Sequence, residues 1–411
     1  MVSLSRRRTR KPVRLVYRSH GQPSARVAFS AAAVRPKNPV DPWLLFVVVT
    51  LAMVGLIVVY AATYHQGSER IVDHLIRAGL GLVALFIGMK LRYTVLAGRL
   101  GWLLLGVVLI LMVITAVSGR AAGVAHRWLP LLRQLSIQPA EIAKFVLPMW
   151  LAAYFASLKE KPDKKWNAWH SLGKPGLVAL GFIGLTAAQP AVGTTAIMAV
   201  SSLLLFVLVG VKLRYLVPVG VLAGVALVVL VWRVPYAHKR WNEFIRGECW
   251  QQQQSLIAIG SGGVFGKGLG EGKQKFYFLS KLDTDFAVAS VGEEFGFVGG
   301  LAIFLLYGVF LVRGMQTARR STHHFGQYLA SGIVITLFMY ALVHIAVALG
   351  LAPTTGQPLP FVSYGGSALV TNLFAAGVVL NISRYARRPD ESNAGRGWNR
   401  RAHLSRARAR A

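Results

Sequence analysis

The chain of 411 residues is 54% hydrophobic and only 15% charged, with 46 Lys and Arg against 15 Asp and Glu. A soluble domain carries about 25% charged residues, so the deficit argues against one; the apolar content excludes a disordered chain, and the single Cys249 excludes a disulfide scaffold. A net charge of +31 would suit a nucleic-acid binder, but a mean hydropathy of +0.50 does not, which leaves an integral membrane protein.

Residues 1–41 form a basic tail, and the apolar segment that follows is too long for a signal-peptide core. Ten stretches of the length that crosses a hydrocarbon core then follow in order. They lie near 42–63, 73–89, 98–117, 140–158, 175–190, 192–211, 215–233, 286–312, 328–350 and 367–383. The fifth and sixth are separated only by Gln189, Pro190 and Ala191, and the polar residues clustered there favour two spans over one. The expected fold is therefore all-α and polytopic, with ten transmembrane helices over 42–383. Basic tails at 1–41 and 384–411 flank them, and a large loop at 234–285 joins the seventh span to the eighth.

Lys and Arg are retained on the cytoplasmic side of a bilayer. Ten spans put both tails on one side, and that side collects 32 Lys and Arg against 12 on the other, with Arg77 and Lys144 inside spans. Both tails are expected in the cytoplasm, as arms drawn to anionic lipid rather than readers of nucleic acid. The outer side then receives the connections 118–139, 234–285 and 351–366, and long connections carry function more often than spans do. Cys249 lies in the second, where labelling of its thiol would report the side on which the loop stands. Trp241, Phe244 and Trp250 beside Lys and Arg suit that loop to the headgroup level. Its centre, GSGGVFGKGLGEGK, lacks the GxxxxGK[ST] spacing of a phosphate loop and reads as a flexible glycine-rich segment.

Few carboxylates are left for chemistry. Glu141 and Lys144 stand at i and i+3 in the fourth span, where an ionisable pair marks either a cavity or a structural clamp. Asp283, Asp285, Glu293 and Glu294 gather where the long loop enters the eighth span. Partial desolvation at that boundary would make Asp285 a usable base. The competing reading is a helix cap, with Asp283 or Thr284 as the capping residue and Asp285 in the first turn. The ten His show no HExxH spacing, so no metal site is expected.

The strings IQPAEIAKF (137–145), AQPAVGT (188–194), DTDF followed by GEEFGFVG (283–299) and PTTGQPLPFVSYGGSA (353–368) resemble the FtsW, RodA and SpoVE family of shape, elongation, division and sporulation proteins. YAHKRWNEF (236–244), then Gln251, Gln254, Ser255, Gly266, Gly268, Leu269, Gly270, Gln274 and Lys275, follows the order of that family's large outer loop. PTTG before LPFVSYGG is closest to the division and sporulation branch.

The resemblance implies a peptidoglycan glycosyltransferase that polymerises lipid II at the outer face of the bacterial cytoplasmic membrane, at the division septum. Asp285 is then the catalytic residue. An undecaprenyl pyrophosphate leaves without needing a proton, whereas the acceptor 4-hydroxyl needs a base, and inversion at the donor carbon requires only one carboxylate. Lys239, Arg240, Lys267, Lys273 and Lys275 are candidates for the pyrophosphate, and Gln254 and Ser363 for lipid II. Glu141, Lys144 and Ala191 are placed at a cavity or in a structural role. No cofactor is required, and a divalent cation, Mg or Mn, is left open. The implied partners are lipid II, a class B penicillin-binding transpeptidase of the FtsI type and other membrane proteins of the division machinery. The alternatives are a lipid II flippase and a non-catalytic division scaffold.

The chain departs from the family pattern at several points. Ala191 stands where a carboxylate is usual, so Lys144 loses that partner and Glu141 is the candidate to replace it. Ser280 and Lys281 replace Pro-Glu, His344 replaces Asn, and Ala368 interrupts a serine pair.

Overall fold

A computed structural model describes residues 38–63, 68–121, 129–132, 135–160, 169–274 and 284–386. Ten of its helices are long and apolar enough to span a membrane. They are α1 (Pro42–Thr63), α2 (Ser68–Lys90), α3 (Arg99–Ala121), α4 (Pro139–Lys159), α5 (Lys174–Ala188), α6 (Val192–Val209) and α7 (Leu213–Arg233). After two shorter helices, α8 (Pro235–Arg246) and α9 (Trp250–Gly262), come the last three spans, α10 (Ala287–Arg320), α11 (His324–Ala348) and α12 (Gly366–Ser383). The connection before α4 holds a small antiparallel hairpin, β1 (Leu129–Leu132) with β2 (Leu135–Ile137). Residues 1–37 and 387–411 of the tails, and Lys275, Ser280, Lys281 and Asp283, lie outside the described residues.

Local signals fix the helix ends. Pro139 opens α4 and Pro235 opens α8, where a missing N–H costs nothing. Gly210 and Gly247 close α6 and α8 in the left-handed conformation. α5 and α6 are separate helices, as the polar residues between them suggested, and turn at Pro190.

The core runs through α4, α11 and α12, the three most buried spans. α2 lies along α12 with backbones close together: a methyl group at Gly377 would strike the Leu85 carbonyl, and one at Gly88 the Phe374 carbonyl. Such close approach is how small residues hold helices together in lipid. α7 is the opposite case, since only Leu216 of its 21 residues is buried.

The two ends of the bundle differ. At one, the roots of both tails meet: Asn38 donates its backbone N–H to the Arg384 carbonyl at 3.2 Å and its amide to the Ala386 carbonyl at 2.5 Å. Asp41 caps α1 by accepting from Trp43 and Leu44 and pairs with Arg313 of α10 at 2.7 Å. At the far end, α8 and α9 lead into the glycine-rich segment.

That segment is docked, contrary to the flexible loop expected from its composition. α10 is broken at Gly296, whose φ is +68°. The carbonyls of Glu293 and Glu294 beside the break receive the N–H groups of Lys267 and Gly268, each at 3.0 Å. Phe297 and Val298 donate back to Gly263 and Val264 at 2.9 and 3.1 Å. The loop thus supplies the hydrogen bonds that the broken helix cannot make for itself. Gly266 is required there, because its φ is +85° and any Cβ would collide with the Glu294 carbonyl.

Candidate active site at the far end

Asp285 lies half-buried in the turn that leads into α10. The N-cap position of α10 belongs to Phe286 and carries no side-chain cap, so the Asp285 carboxylate is free of the capping role. Phe286 is buried and packs with Ala258 of α9 and Val347 of α11, which anchors the turn from below. Ser363 holds it from the side: its hydroxyl donates to the Thr284 carbonyl at 2.7 Å and accepts the Leu359 N–H at 3.0 Å.

A strap formed by residues 353–363 crosses this turn. Gly356 has a φ of +66°, and a Cβ built there would lie 3.5 Å from Asp285 Oδ2 and 3.8 Å from Arg240 Nη1. The carboxylate and the guanidinium therefore flank one glycine, yet they form no direct ion pair among the described residues. Arg240 is held in place, with Nη1 donating to the Thr354 carbonyl at 2.8 Å and the guanidinium 4.2 Å above the Tyr236 ring. Beneath the strap, Gln357 accepts through its side-chain oxygen from Thr194 at 3.1 Å and through its carbonyl from His344 Nδ1 at 2.8 Å. α6, α8, α11 and the turn before α10 thus converge on three or four strap residues.

A groove of about 160 Å³ opens beside Arg240, lined by Pro190, Gly193, Tyr236, Trp241 and Thr355. Its walls combine the Arg240 cation and aromatic rings of α8 with apolar Leu227 and Val231 of α7. An amphiphile with an anionic head and an apolar tail matches that combination of surfaces.

The remaining candidates separate. Lys239, on α8 like Arg240, is 77% exposed and lies 3.8 Å from Glu243. Lys267 is a structural partner instead: its Nζ bonds Glu293 at 3.1 Å and Ser261 at 2.7 Å. The same buried Glu293 accepts the N–H groups of Lys273 and Gln274, so its carboxylate clamps the glycine-rich segment. Gln254 is buried in α9. Ser363 spends its hydroxyl on two backbone groups and holds the Asp285 turn, whereas the sequence offered it as a substrate ligand. Lys275 lies outside the described residues.

Glu141 and Lys144 meet at 2.5 Å with side chains only 2% and 1% exposed, and Lys144 Nζ stands 4.3 Å over the Tyr340 ring. Ala191 is buried at the start of α6, where its carbonyl receives both the N–H and the hydroxyl of Thr195. Among the described residues, no group of three or more His, Cys, Asp or Glu is arranged to hold a metal.

Sequence reasoning named Asp285 and Arg240 but missed Gly356, Thr354, Gln357 and Thr194. All four lie in the strings PTTGQP and AQPAVGT, so the signal was present, though nothing in it says that the two strings touch.

The Ser363 anchor has a measurable consequence. Ser363→Ala releases the Thr284 carbonyl and lets the Asp285 turn shift; displacement of a reacting group by about 1 Å costs up to 100-fold in rate. The expected result in an assay of catalytic turnover is a lower kcat with little change in KM, restored by Ser363→Thr. A proportional loss of folded protein with unchanged kcat would make the serine structural only.

The family model covering FtsW, RodA and SpoVE, described as "Cell cycle protein", matches residues 42–388. The chain belongs to the FtsW/RodA/SpoVE family. Among relatives, a probable peptidoglycan glycosyltransferase FtsW of Trichlorobacter lovleyi is 36% identical over 358 residues, covering 84% of this chain and 93% of the relative. Stage V sporulation protein E of Bacillus subtilis is 34% identical, covering 84% and 98%. Among solved structures, a chain of a peptidoglycan synthase complex coordinating polymerization and crosslinking superposes with a TM-score of 0.70 at 28% identity, covering 84% and 98%. The rod shape determining protein RodA of Thermus thermophilus gives 0.64 at 27% identity, covering 85% and 98%. The predominantly helical ten-span fold is thus the fold of this family.

Proposed function

We propose that this chain is a peptidoglycan glycosyltransferase that polymerises lipid II for septal wall synthesis. Asp285 acts as general base on the acceptor 4-hydroxyl and Arg240 receives the departing pyrophosphate. The observation that carries this reading is the placing of carboxylate and guanidinium on either side of Gly356, with Arg240 also lining a groove of aromatic and apolar residues. In an inverting transfer, the base removes a proton on one face while the leaving group departs from the other. Asp285 can do the first, and a guanidinium suited to phosphate oxygens can stabilise the second. Lys239 and Lys275 are further candidates for the pyrophosphate. The chain is a multi-pass protein of the cytoplasmic membrane, with both tails inside and the site outside. A class B penicillin-binding transpeptidase of the FtsI type joins it, alongside other division proteins.

The decisive assay is glycan polymerisation from purified lipid II by the isolated chain, with and without the transpeptidase, and with EDTA, Mg or Mn added. Polymer is the expected product. Its absence under every condition, with folded protein and the partner bound, would favour a scaffold.

Orientation has its own test, and burial changes its design. Cys249 is buried, so its thiol is a poor reporter. Lys239 is exposed on the same side of the bundle. In a Cys249→Ser background, Lys239→Cys is expected to react with an impermeant maleimide in intact spheroplasts. Labelling only after permeabilisation would reverse the topology.

A further inference from the structure

A large cavity stands apart from the site at the far end. It lies at the opposite end of the bundle, between α5, α6 and α7, with a volume of about 260 Å³ and almost wholly apolar walls. Along α5 and the Gly173 that precedes it the walls run to Ile183, a rise of about 15 Å of helix. That is half the hydrocarbon thickness of about 30 Å. The groove therefore serves one leaflet, the one on the side of the tails. Phe206 and Leu203 close it on α6, and Val219 and Ala223 on α7, the span that packs least against its neighbours.

Basic residues stand at the tail-side ends of two of the helices that line the groove. Lys174 opens α5 directly beside Gly173, and Lys212 and Arg214 stand at the start of α7. All three are exposed, and among the described residues none has a carboxylate partner. Trp169 lies at the same end, half-exposed, in the position of an interfacial aromatic. Arg214 also bonds the Tyr215 hydroxyl at 2.8 Å, so an apolar slot one leaflet deep below basic helix ends without carboxylate partners suits a lipid with an acyl chain and an anionic head.

We propose that this groove binds an anionic phospholipid of the tail-side leaflet, its acyl chain between α5, α6 and α7 and its headgroup on Lys174, Lys212 and Arg214. The bound chain packs against the otherwise unsupported α7. Because α7 continues into α8, which carries Arg240, the lipid steadies from below the span on which the far-end site depends. The substrate's polyprenyl chain is a poorer fit, because its head is engaged at the other end of the bundle and the groove stops near mid-depth.

The test uses the full chain, purified and delipidated, with native mass spectrometry after incubation with dioleoyl phosphatidylglycerol, dioleoyl phosphatidylcholine or undecaprenyl phosphate. Retention of phosphatidylglycerol over phosphatidylcholine is expected. Replacing Lys174, Lys212 and Arg214 with Gln should reduce that preference by about fivefold per charge removed. Ala223→Phe fills the slot and should abolish retention of the phosphatidylglycerol; Leu203→Trp serves the same purpose if the first variant fails to fold. Equal retention of the two phospholipids, displacement of phosphatidylglycerol by undecaprenyl phosphate, or retention unchanged in the charge and slot variants would each overturn the proposal.

Discussion

Asp285→Asn is expected to insert, fold and bind its transpeptidase partner, yet to form almost no glycan. Asn keeps the size and most of the hydrogen bonding of Asp but cannot take the acceptor's proton, and loss of a general base costs about 10² to 10⁴ in rate. The helix-cap alternative predicts the reverse, because Asn is itself a good capping residue. Geometry already separates the two: the carboxylate reaches toward Gly356 and Arg240, while the cap position belongs to Phe286. Initial rates of lipid II polymerisation decide the matter, with partner binding measured on the same preparation. Near-normal polymer from Asp285→Asn would remove the base and strengthen the scaffold reading.

A second substitution isolates the space between the two groups. Gly356 holds a φ of +66°, which Asn tolerates better than Ala, so backbone strain and lost clearance are distinguishable. If clearance is what the site needs, Gly356→Asn and Gly356→Ala both lose polymerisation while the folded fraction falls chiefly in Ala. Full activity in either variant would show that the substrate does not pass between carboxylate and guanidinium.

The spans were legible because lipid imposes a simple rule: about 20 apolar residues with every backbone group satisfied internally. The Pro190 turn between α5 and α6 was legible for a related reason, since polar residues do not sit together inside a span without cause. The far end obeys no such rule. The pairing of 263–268 with 293–298 is made by backbone groups about thirty residues apart, and backbone groups leave no side-chain signature. Hence the glycines read as flexibility, when Gly266 is there to let two backbones touch. Lys267 read as a phosphate ligand for the same reason, its partner Glu293 being visible only once the loop is folded back. Ser363 was recognised through a motif, but a motif gives position without partners, and the partner turned out to be the Thr284 carbonyl. Position was most legible where a residue stands at a boundary, as Asp285 does between polar turn and apolar helix.

The other large effect concerns the ion pair in the first two turns of α4. Glu141→Ala leaves the Lys144 ammonium buried beside the Tyr340 ring with no carboxylate, and such an uncompensated charge costs about 3 to 5 kcal/mol. Thermal stability should drop sharply and polymerisation should fall with it. Removing both charges is a different experiment, because replacing a buried pair by apolar residues of similar volume is often neutral or stabilising. The double variant Glu141→Leu with Lys144→Met is therefore expected to regain stability. If it also regains polymerisation, the pair is a clamp that fixes α4 against α11, where Tyr340 sits. A stable double variant without polymerisation would place the charges in the reaction path. A third result separates transport from synthesis: a stable double variant that polymerises substrate supplied in the outer leaflet but no longer moves lipid II across proteoliposomes would give the pair to a flippase. The clamp reading is favoured by the 2.5 Å contact and near-complete burial, which leave neither charge exposed to a passing headgroup.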